Sequence, residues 1–91
     1  SAQLDPSAAP TRYALGVLLD QLGRPEDAEG QFLAAIRSDP KAPLTHFTLG
    51  RIYGKYNRWR QAVASLETAH RLDPDDTEIA LGLAMAYHEL A

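Results

Sequence analysis

The segment KAPLTHFTLGRIYGKYNRWRQAVASLETAHRLDP, residues 41–74, decides the fold because it ends on a doublet that recurs through the chain. The recurrences are 34 residues apart, at Asp5-Pro6, Asp39-Pro40 and Asp73-Pro74. A fixed period of roughly 20 to 50 residues is typical of stacked structural units. Asp forms side-chain bonds to its own backbone outside helices, and the residue before Pro avoids the helical region. Each doublet is therefore predicted to end a helix, and the interval between two doublets is one unit.

Length and composition indicate one small globular domain. The chain has 91 residues, of which 45% are hydrophobic and 23% charged, and these values are ordinary for a folded protein. The net charge of −3 argues against a general nucleic-acid binder. No apolar run approaches the ~18 residues of a membrane span. The absence of Cys excludes disulfides and thiolate metal sites and leaves the compartment undecided, with the cytoplasm favoured over a periplasmic or secreted location.

Helical periodicity recurs in every unit. In the first helix the apolar residues follow the i, i+3, i+4, i+7 spacing and are expected to face the core: Leu15, Leu18, Leu19 and Leu22. Gly23 and Asn57 follow apolar segments and suit left-handed helix ends. Helices are predicted at about 8–22, 25–38, 43–56, 59–72 and 77–90, with Asp75 or Asp76 capping the last. Since no strand pattern competes, the predicted fold class is all-α, with five antiparallel helices.

The later helices carry matching apolar stripes. These are Ala28, Phe32, Ala35 and Ile36, then Leu49, Ile52, Tyr53 and Tyr56, then Ala62, Leu66 and Ala69. Gly16, Gly50 and Ala84 fall in the middle of helices, where Gly costs about 0.5–1 kcal/mol relative to Ala. That cost is explained if the second helix of each pair crosses closely there, with Ala28 and Ala62 as the small residues on the partner helix.

These residues resemble the tetratricopeptide repeat family, whose unit carries large-x-x-Leu-Gly-x-x-Tyr, then Ala-x-x-x-Phe, then Pro. The matching positions are Arg12, Leu15, Gly16, Leu19, Ala28, Phe32 and Pro40; His46, Leu49, Gly50, Tyr53, Ala62, Leu66 and Pro74; and Ala80, Leu83, Ala84 and Tyr87. Arg12, His46 and Ala80 depart from the usual Trp, and Ala84 replaces a Gly. The resemblance implies a right-handed superhelical solenoid of antiparallel helix pairs. It also implies a single domain over 1–91, with units at about 7–40 and 41–74 and a half unit at 75–91.

The resemblance implies a protein–protein interaction scaffold that holds a partner segment in a concave groove lined by the first helix of each pair. The helical wheel predicts the groove residues Tyr13, Val17, Gln21, Phe47, Arg51, Lys55, Leu81, Met85 and His88. Their apolar strip, and the basic cluster of Arg51, Lys55, Arg58 and Arg60, predict a partly apolar partner with an acidic residue. The alternative for the apolar strip is that it packs against neighbouring repeats. The alternative for the basic cluster is that it is an ordinary solvated face. Some members of the family clamp the C-terminal carboxylate of a peptide with Lys and Asn side chains. Such a clamp is not expected here, because the corresponding positions include Tyr13, Val17, Thr48, Glu78 and Gly82.

No catalytic, cofactor or metal site is predicted, so the chain is not expected to be an enzyme. His46, His70 and His88 share no metal-ligand spacing, and His46 occupies a core slot. The Ser residues lack a nucleophile-elbow context, and the Gly residues form no phosphate loop. A nucleic-acid surface built from Tyr53, Tyr56 and Trp59 beside the basic cluster is a minor alternative.

The last helix is apolar around nearly its whole circumference, which is typical of a helix buried on more than one side. It predicts that the chain is an excerpt of a longer array, with a possible homodimer through the 77–90 helix. Two other readings remain open. One is a substrate-presenting or regulatory array attached to an enzyme such as a transferase, and the other is a self-assembly module.

Overall fold

The computed structural model describes residues 8–91, which contain five α-helices and no β-strand. The helices are α1 (Ala9–Gln21), α2 (Pro25–Ser38), α3 (Pro43–Lys55), α4 (Trp59–Leu72) and α5 (Thr77–Leu90). These bounds lie within one residue of the five predicted helices. The all-α fold class is confirmed.

The two Asp-Pro doublets in the described residues both end a helix, as predicted. Asp39 has φ −145° and ψ 84° directly after α2, and Asp73 has φ −143° and ψ 76° directly after α4. Both conformations lie outside the helical region, as expected for a residue followed by Pro. The doublet Asp5-Pro6 lies outside the described residues.

The turn inside each helix pair is a Schellman motif with a left-handed residue. Gly23 has φ 77°, and the N–H of Arg24 donates to the carbonyl oxygen of Leu19 at 2.9 Å. In the second pair Asn57 has φ 64°, and the N–H of Arg58 donates to the carbonyl oxygen of Tyr53 at 2.8 Å. These bonds satisfy helix-end carbonyls and reverse the chain within three residues, so each pair is an antiparallel hairpin.

The first compact unit, up to Lys41, is built on the contact between Gly16 and Phe32. A Cβ placed on Gly16 would lie 2.9 Å from the Phe32 ring, so the glycine allows α1 to approach α2. Phe32 is fully buried, and Tyr13 meets it edge to face with ring centroids 5.6 Å apart. Ala28 and Ala35 are also buried, which confirms three members of the core stripe predicted for α2, whereas Ile36 is only half-buried.

The predicted burial of the leucine stripe on α1 is wrong for three of its four members. Leu15, Leu18 and Leu22 are 42%, 49% and 63% exposed. The close approach at Gly16 turns that face of α1 toward α2, and the leucines lie about 100° or more around the helix from it. The spacing identified an amphipathic helix correctly but did not identify the face that α2 covers.

In the second unit, from Ala42 onward, α4 packs against both α3 and α5. A Cβ on Gly50 would lie 2.7 Å from Leu66 Cγ and 3.4 Å from the carbonyl oxygen of Ala62. The predicted close crossing at Gly50 and Ala62 is therefore confirmed. The residues buried in this unit include Leu49, Ile52, Tyr53, Ala62, Val63, Leu66, Ala69, Ile79 and Ala86. Tyr56 is more than a third exposed, so its assignment to the core stripe is wrong: it follows the last residue of α3 and lies at the turn.

Two polar contacts fix α5. The carboxylate of Asp76 accepts a hydrogen bond from the N–H of Ile79 at 3.1 Å, so Asp76 is the N-cap, whereas Asp75 is exposed. Near the other end, the Tyr87 hydroxyl donates to a carboxylate oxygen of Glu67 on α4. None of the described helices has the length and apolar character needed to cross a membrane.

The two compact units meet in sequence between Lys41 and Ala42, next to the predicted repeat boundary after Pro40. The prediction of a single domain over 1–91 and the superhelical sense of the solenoid stay predictions.

Candidate functional site

An open cavity of about 470 Å³ lies in the second unit, within the size range of ligand sites in proteins. We call it the α3/α5 groove, because those two helices supply ten of its twelve lining residues. Its α3 wall consists of Phe47, Gly50, Arg51, Gly54 and Lys55. Its α5 wall consists of Glu78, Leu81, Gly82, Met85 and Ala86, and α4 contributes Trp59 and Leu66.

Glycines that line the groove let neighbouring side chains lie close to the α3 and α5 backbones. A Cβ on Gly54 would lie 2.8 Å from Trp59 Cζ3, so the indole packs directly against the backbone of α3. On the opposite wall, a Cβ on Gly82 would lie 3.5 Å from Phe47 Cε1. The glycine positions therefore allow these close contacts in a groove whose lining is mostly aromatic and aliphatic.

The charges at the groove are unequal on its two walls. Arg51 and Lys55 are both exposed and lie one helical turn apart on α3. The Arg51 guanidinium lies 5.6 Å from the centroid of the Phe47 ring, a cation–π contact. Glu78 is the only carboxylate that lines this groove, and no ion pair within residues 8–91 joins it to Arg51. The α3 wall is thus positive and the α5 wall carries one negative charge.

The structure brings five of the nine predicted groove residues together in the α3/α5 groove: Phe47, Arg51, Lys55, Leu81 and Met85. His88 is exposed in the last turn of α5 and does not line it. Tyr13, Val17 and Gln21 lie on α1 in the other unit, where Tyr13 packs on Phe32. Their membership of a binding surface stays a prediction.

Sequence reasoning did not assign several lining residues to the groove, Trp59 and Leu66 among them. It assigned the groove to the first helix of each pair, and both side chains belong to α4, the second helix of its pair. One signal was available. Gly50 and Gly54 lie four residues apart and so share one face of α3. Two glycines on one face predict that side chains from a partner helix reach that face.

The predicted basic cluster is divided in the structure. Arg51 and Lys55 line the α3/α5 groove, but Arg58 and Arg60 line a separate depression with Asn57, Trp59, Gln61, Glu89 and Leu90. Tyr53, one of the three aromatic residues considered for base stacking, is buried. The four basic residues therefore line two different cavities, and Trp59 contributes to both.

Other candidate chemical groups are dispersed. The described residues hold no group of three or more His, Asp or Glu side chains arranged to bind a metal ion. The hydrogen bond to Glu67 raises the pKa of Tyr87 above 10.0, and desolvation and the Glu67 charge act in the same direction. This tyrosine serves the contact between α4 and α5.

Two antiparallel helix pairs, each with a glycine at its crossing and a left-handed residue at its turn, define a helical-repeat protein. The chain matches the tetratricopeptide repeat family over residues 2–43 and again over residues 43–76. It belongs to the tetratricopeptide repeat family, as its sequence motifs predicted. Repeats of this family generally mediate protein–protein interactions and are typically not catalytic. No curated protein matches the chain at a significant level.

Proposed function

We propose that this chain is a protein-interaction scaffold that binds a peptide or helical segment of a partner protein in the α3/α5 groove. One observation carries the proposal: an open, mostly apolar groove in which Leu81 and Met85 are 61% and 63% exposed beside Arg51. Exposed apolar side chains gathered in a concave surface commonly mark sites for partners. The binding segment is accordingly apolar over most of its contact with the groove.

The mechanism is association on a preformed surface. The α3 wall is held by the close crossing of α4 at Gly50, and the α5 wall by the Asp76 cap and the hydrogen bond from Tyr87 to Glu67. Because these walls are ordered before a ligand arrives, little conformational entropy of the scaffold opposes binding. Met85 adds adaptability, since its unbranched side chain can fit ligands of different shape.

Site-directed photo-crosslinking in the source cell tests this function. A photoreactive phenylalanine analogue at Met85 is expected to crosslink a partner, and mass spectrometry of the product should place the crosslink within one apolar segment. The matched control carries the analogue at Ala64, an exposed residue of α4 that does not line the groove. Equal crosslinking of the same proteins from both positions would contradict the proposal.

Self-association is a second candidate function, favoured by the exposed apolar face of α5. The face is formed by Leu81 and Met85; the side chains of Tyr87 and Leu90 are also more than a third exposed, but they lie about 120° or more around the helix from it. A second copy of the chain could cover this face and form a homodimer through the 77–90 helix. Such a dimer would compete with a peptide for Leu81 and Met85. The other alternative, a repeat array that presents substrates to an attached enzyme, has no contact in residues 8–91 that favours it.

A further inference from the structure

The unequal charges of the α3/α5 groove indicate which kind of peptide segment the groove binds. This inference rests on the proposed function. We infer that the groove takes a segment anchored by one large apolar side chain with a carboxylate beside it, and that the carboxylate faces α3 and not α5. The size of the cavity, the contacts of Arg51 and the position of Glu78 carry this inference.

The anchor is large because the groove is roomy and its lining is mostly apolar. The apolar side chains that line the cavity of about 470 Å³ include Leu66, Trp59, Phe47 and Met85. Gly82 contributes no side chain, which leaves the space beside Phe47 unfilled by α5. An aromatic side chain, which buries about 150–250 Å² on transfer from water, can contact several of these side chains at once, whereas a small side chain cannot.

A cationic anchor is excluded by the groove's own charges. Aromatic rings with a nearby carboxylate can bind alkylammonium groups, but here the Arg51 guanidinium already occupies the Phe47 ring at 5.6 Å. Lys55 adds a second positive charge on the same wall. A ligand cation would meet two like charges and only one carboxylate, Glu78.

The ligand carboxylate is assigned to Arg51. Among the described residues, the Phe47 ring is the one side-chain partner of Arg51, whereas Lys55 has further interactions. Guanidinium has five N–H donors in a fork that matches a carboxylate, and the contact with Phe47 leaves them available. A carboxylate facing α5 would instead approach Glu78 and be repelled. The two walls thus orient an acidic, apolar segment across the groove.

Amide chemical-shift titration of the full chain with two small probes tests this inference. N-acetyl-L-tryptophan carries an indole and a carboxylate, and N-acetyl-L-tryptophanamide carries the same indole without the charge. Both are expected to shift the amides of Gly50, Gly54 and Gly82 and the indole N–H of Trp59. The acid should bind roughly threefold more tightly, the effect of one partly exposed ion pair.

Charge-removing variants then show which side chain causes the preference for the acid over the amide. Arg51→Gln should make the acid and the amide bind equally, and Glu78→Gln should increase the preference for the acid. The matched controls are Arg60→Gln and Glu89→Gln, which change charges at the separate depression and should leave the preference unchanged. All four side chains are exposed, so thermal melts should confirm that the variants fold.

The possible failures are distinguishable. If both probes shift the groove but bind equally to the unmodified chain, or if the preference survives Arg51→Gln, the inference is overturned while the groove remains a binding site. If neither probe shifts any groove amide up to its solubility limit, the groove itself is not an apolar binding site and the proposed function falls with the inference.

Discussion

The indole of Trp59 packs so closely on Gly54 that a Cβ on this glycine would lie 2.8 Å from Cζ3 of the ring. This contact joins the end of α3 to the start of α4, and both residues line the α3/α5 groove. Trp59 is the only tryptophan in the sequence, so the indole fluorescence of the chain comes from this side chain alone.

Replacing Gly54 with Ala should displace the indole. Because the new methyl group would meet ring atoms at 2.8 and 3.3 Å, Trp59 must move outward into solvent. We expect a red-shifted emission maximum and more efficient quenching by acrylamide, since both increase when an indole becomes more exposed to water. An emission spectrum identical to that of the unmodified chain would show that the ring does not pack on Gly54.

Gly50→Leu should destabilise the chain even though Leu is the better helix former. The introduced Cβ would lie 2.7 Å from Leu66 Cγ and 3.4 Å from a backbone carbonyl that cannot rotate away. Overpacking of this kind costs about 1–3 kcal/mol, and each kcal/mol lowers Tm by about 4–8 °C in a domain of this size.

Gly30→Leu is the matched control for that substitution. Gly30 lies inside α2, and nothing lies within 4 Å of a Cβ built on it. The control should therefore gain about 0.5–1 kcal/mol from helix propensity alone. Thermal melts in which Gly50→Leu and Gly30→Leu raise Tm equally would contradict the close crossing of α3 and α4.

Tyr87→Phe should weaken the attachment of α5 to α4 and remove a pH dependence. The hydrogen bond to Glu67 raises the pKa of Tyr87 in the folded chain above 10.0, so folding favours the neutral phenol. The stabilisation is fully present below about pH 10 and is lost as pH rises through the raised pKa.

Urea unfolding at neutral pH and at alkaline pH measures this effect. At neutral pH the unmodified chain should have a larger free energy of unfolding than the Tyr87→Phe variant. The difference between the two free energies should shrink above pH 10. Ultraviolet titration of the phenols should show one fewer late-ionising tyrosine in the Tyr87→Phe variant. A stability difference that grows with pH would contradict the assigned hydrogen bond.

Leu81→Gln should abolish self-association if α5 supplies the dimer contact. Leu81 is 61% exposed, and a polar side chain there removes apolar area that a second copy would bury. Sedimentation velocity over a range of concentrations should show a dimer for the unmodified chain and a monomer for the variant. Leu44→Gln, at a leucine of α3 that is 58% exposed, is the control and should leave the dimer intact. A strictly monomeric unmodified chain at high concentration would count against this second function.

The sequence predicts the helices well because their ends depend on local chemistry. Asp39 and Asp73 leave the helical region because a Pro follows, Gly23 and Asn57 adopt positive φ, and Asp76 caps α5 through its own side chain. Each of these signals acts within a few residues, so no knowledge of the tertiary structure is needed to recognise it.

The sequence predicts packing less well because periodicity does not identify the neighbour that covers a helix. Leu15 and Leu18 follow the helical spacing but remain exposed, since Gly16 draws the adjacent face of α1 onto α2. For the same reason Trp59 was missed as a groove residue. Its role depends on its contact with Gly54, which becomes visible only when α3 and α4 are placed together.

The most direct test of the account is the affinity of the crosslinked partner segment for two charge-reversed variants, measured by isothermal titration calorimetry. Arg51→Glu replaces the charge-assisted contact with a repulsion and should weaken binding by about tenfold or more. Arg60→Glu makes the same charge change at the separate depression and should bind like the unmodified chain. Equal affinities for all three proteins would contradict the claim that the α3/α5 groove recognises an acidic, apolar segment through Arg51.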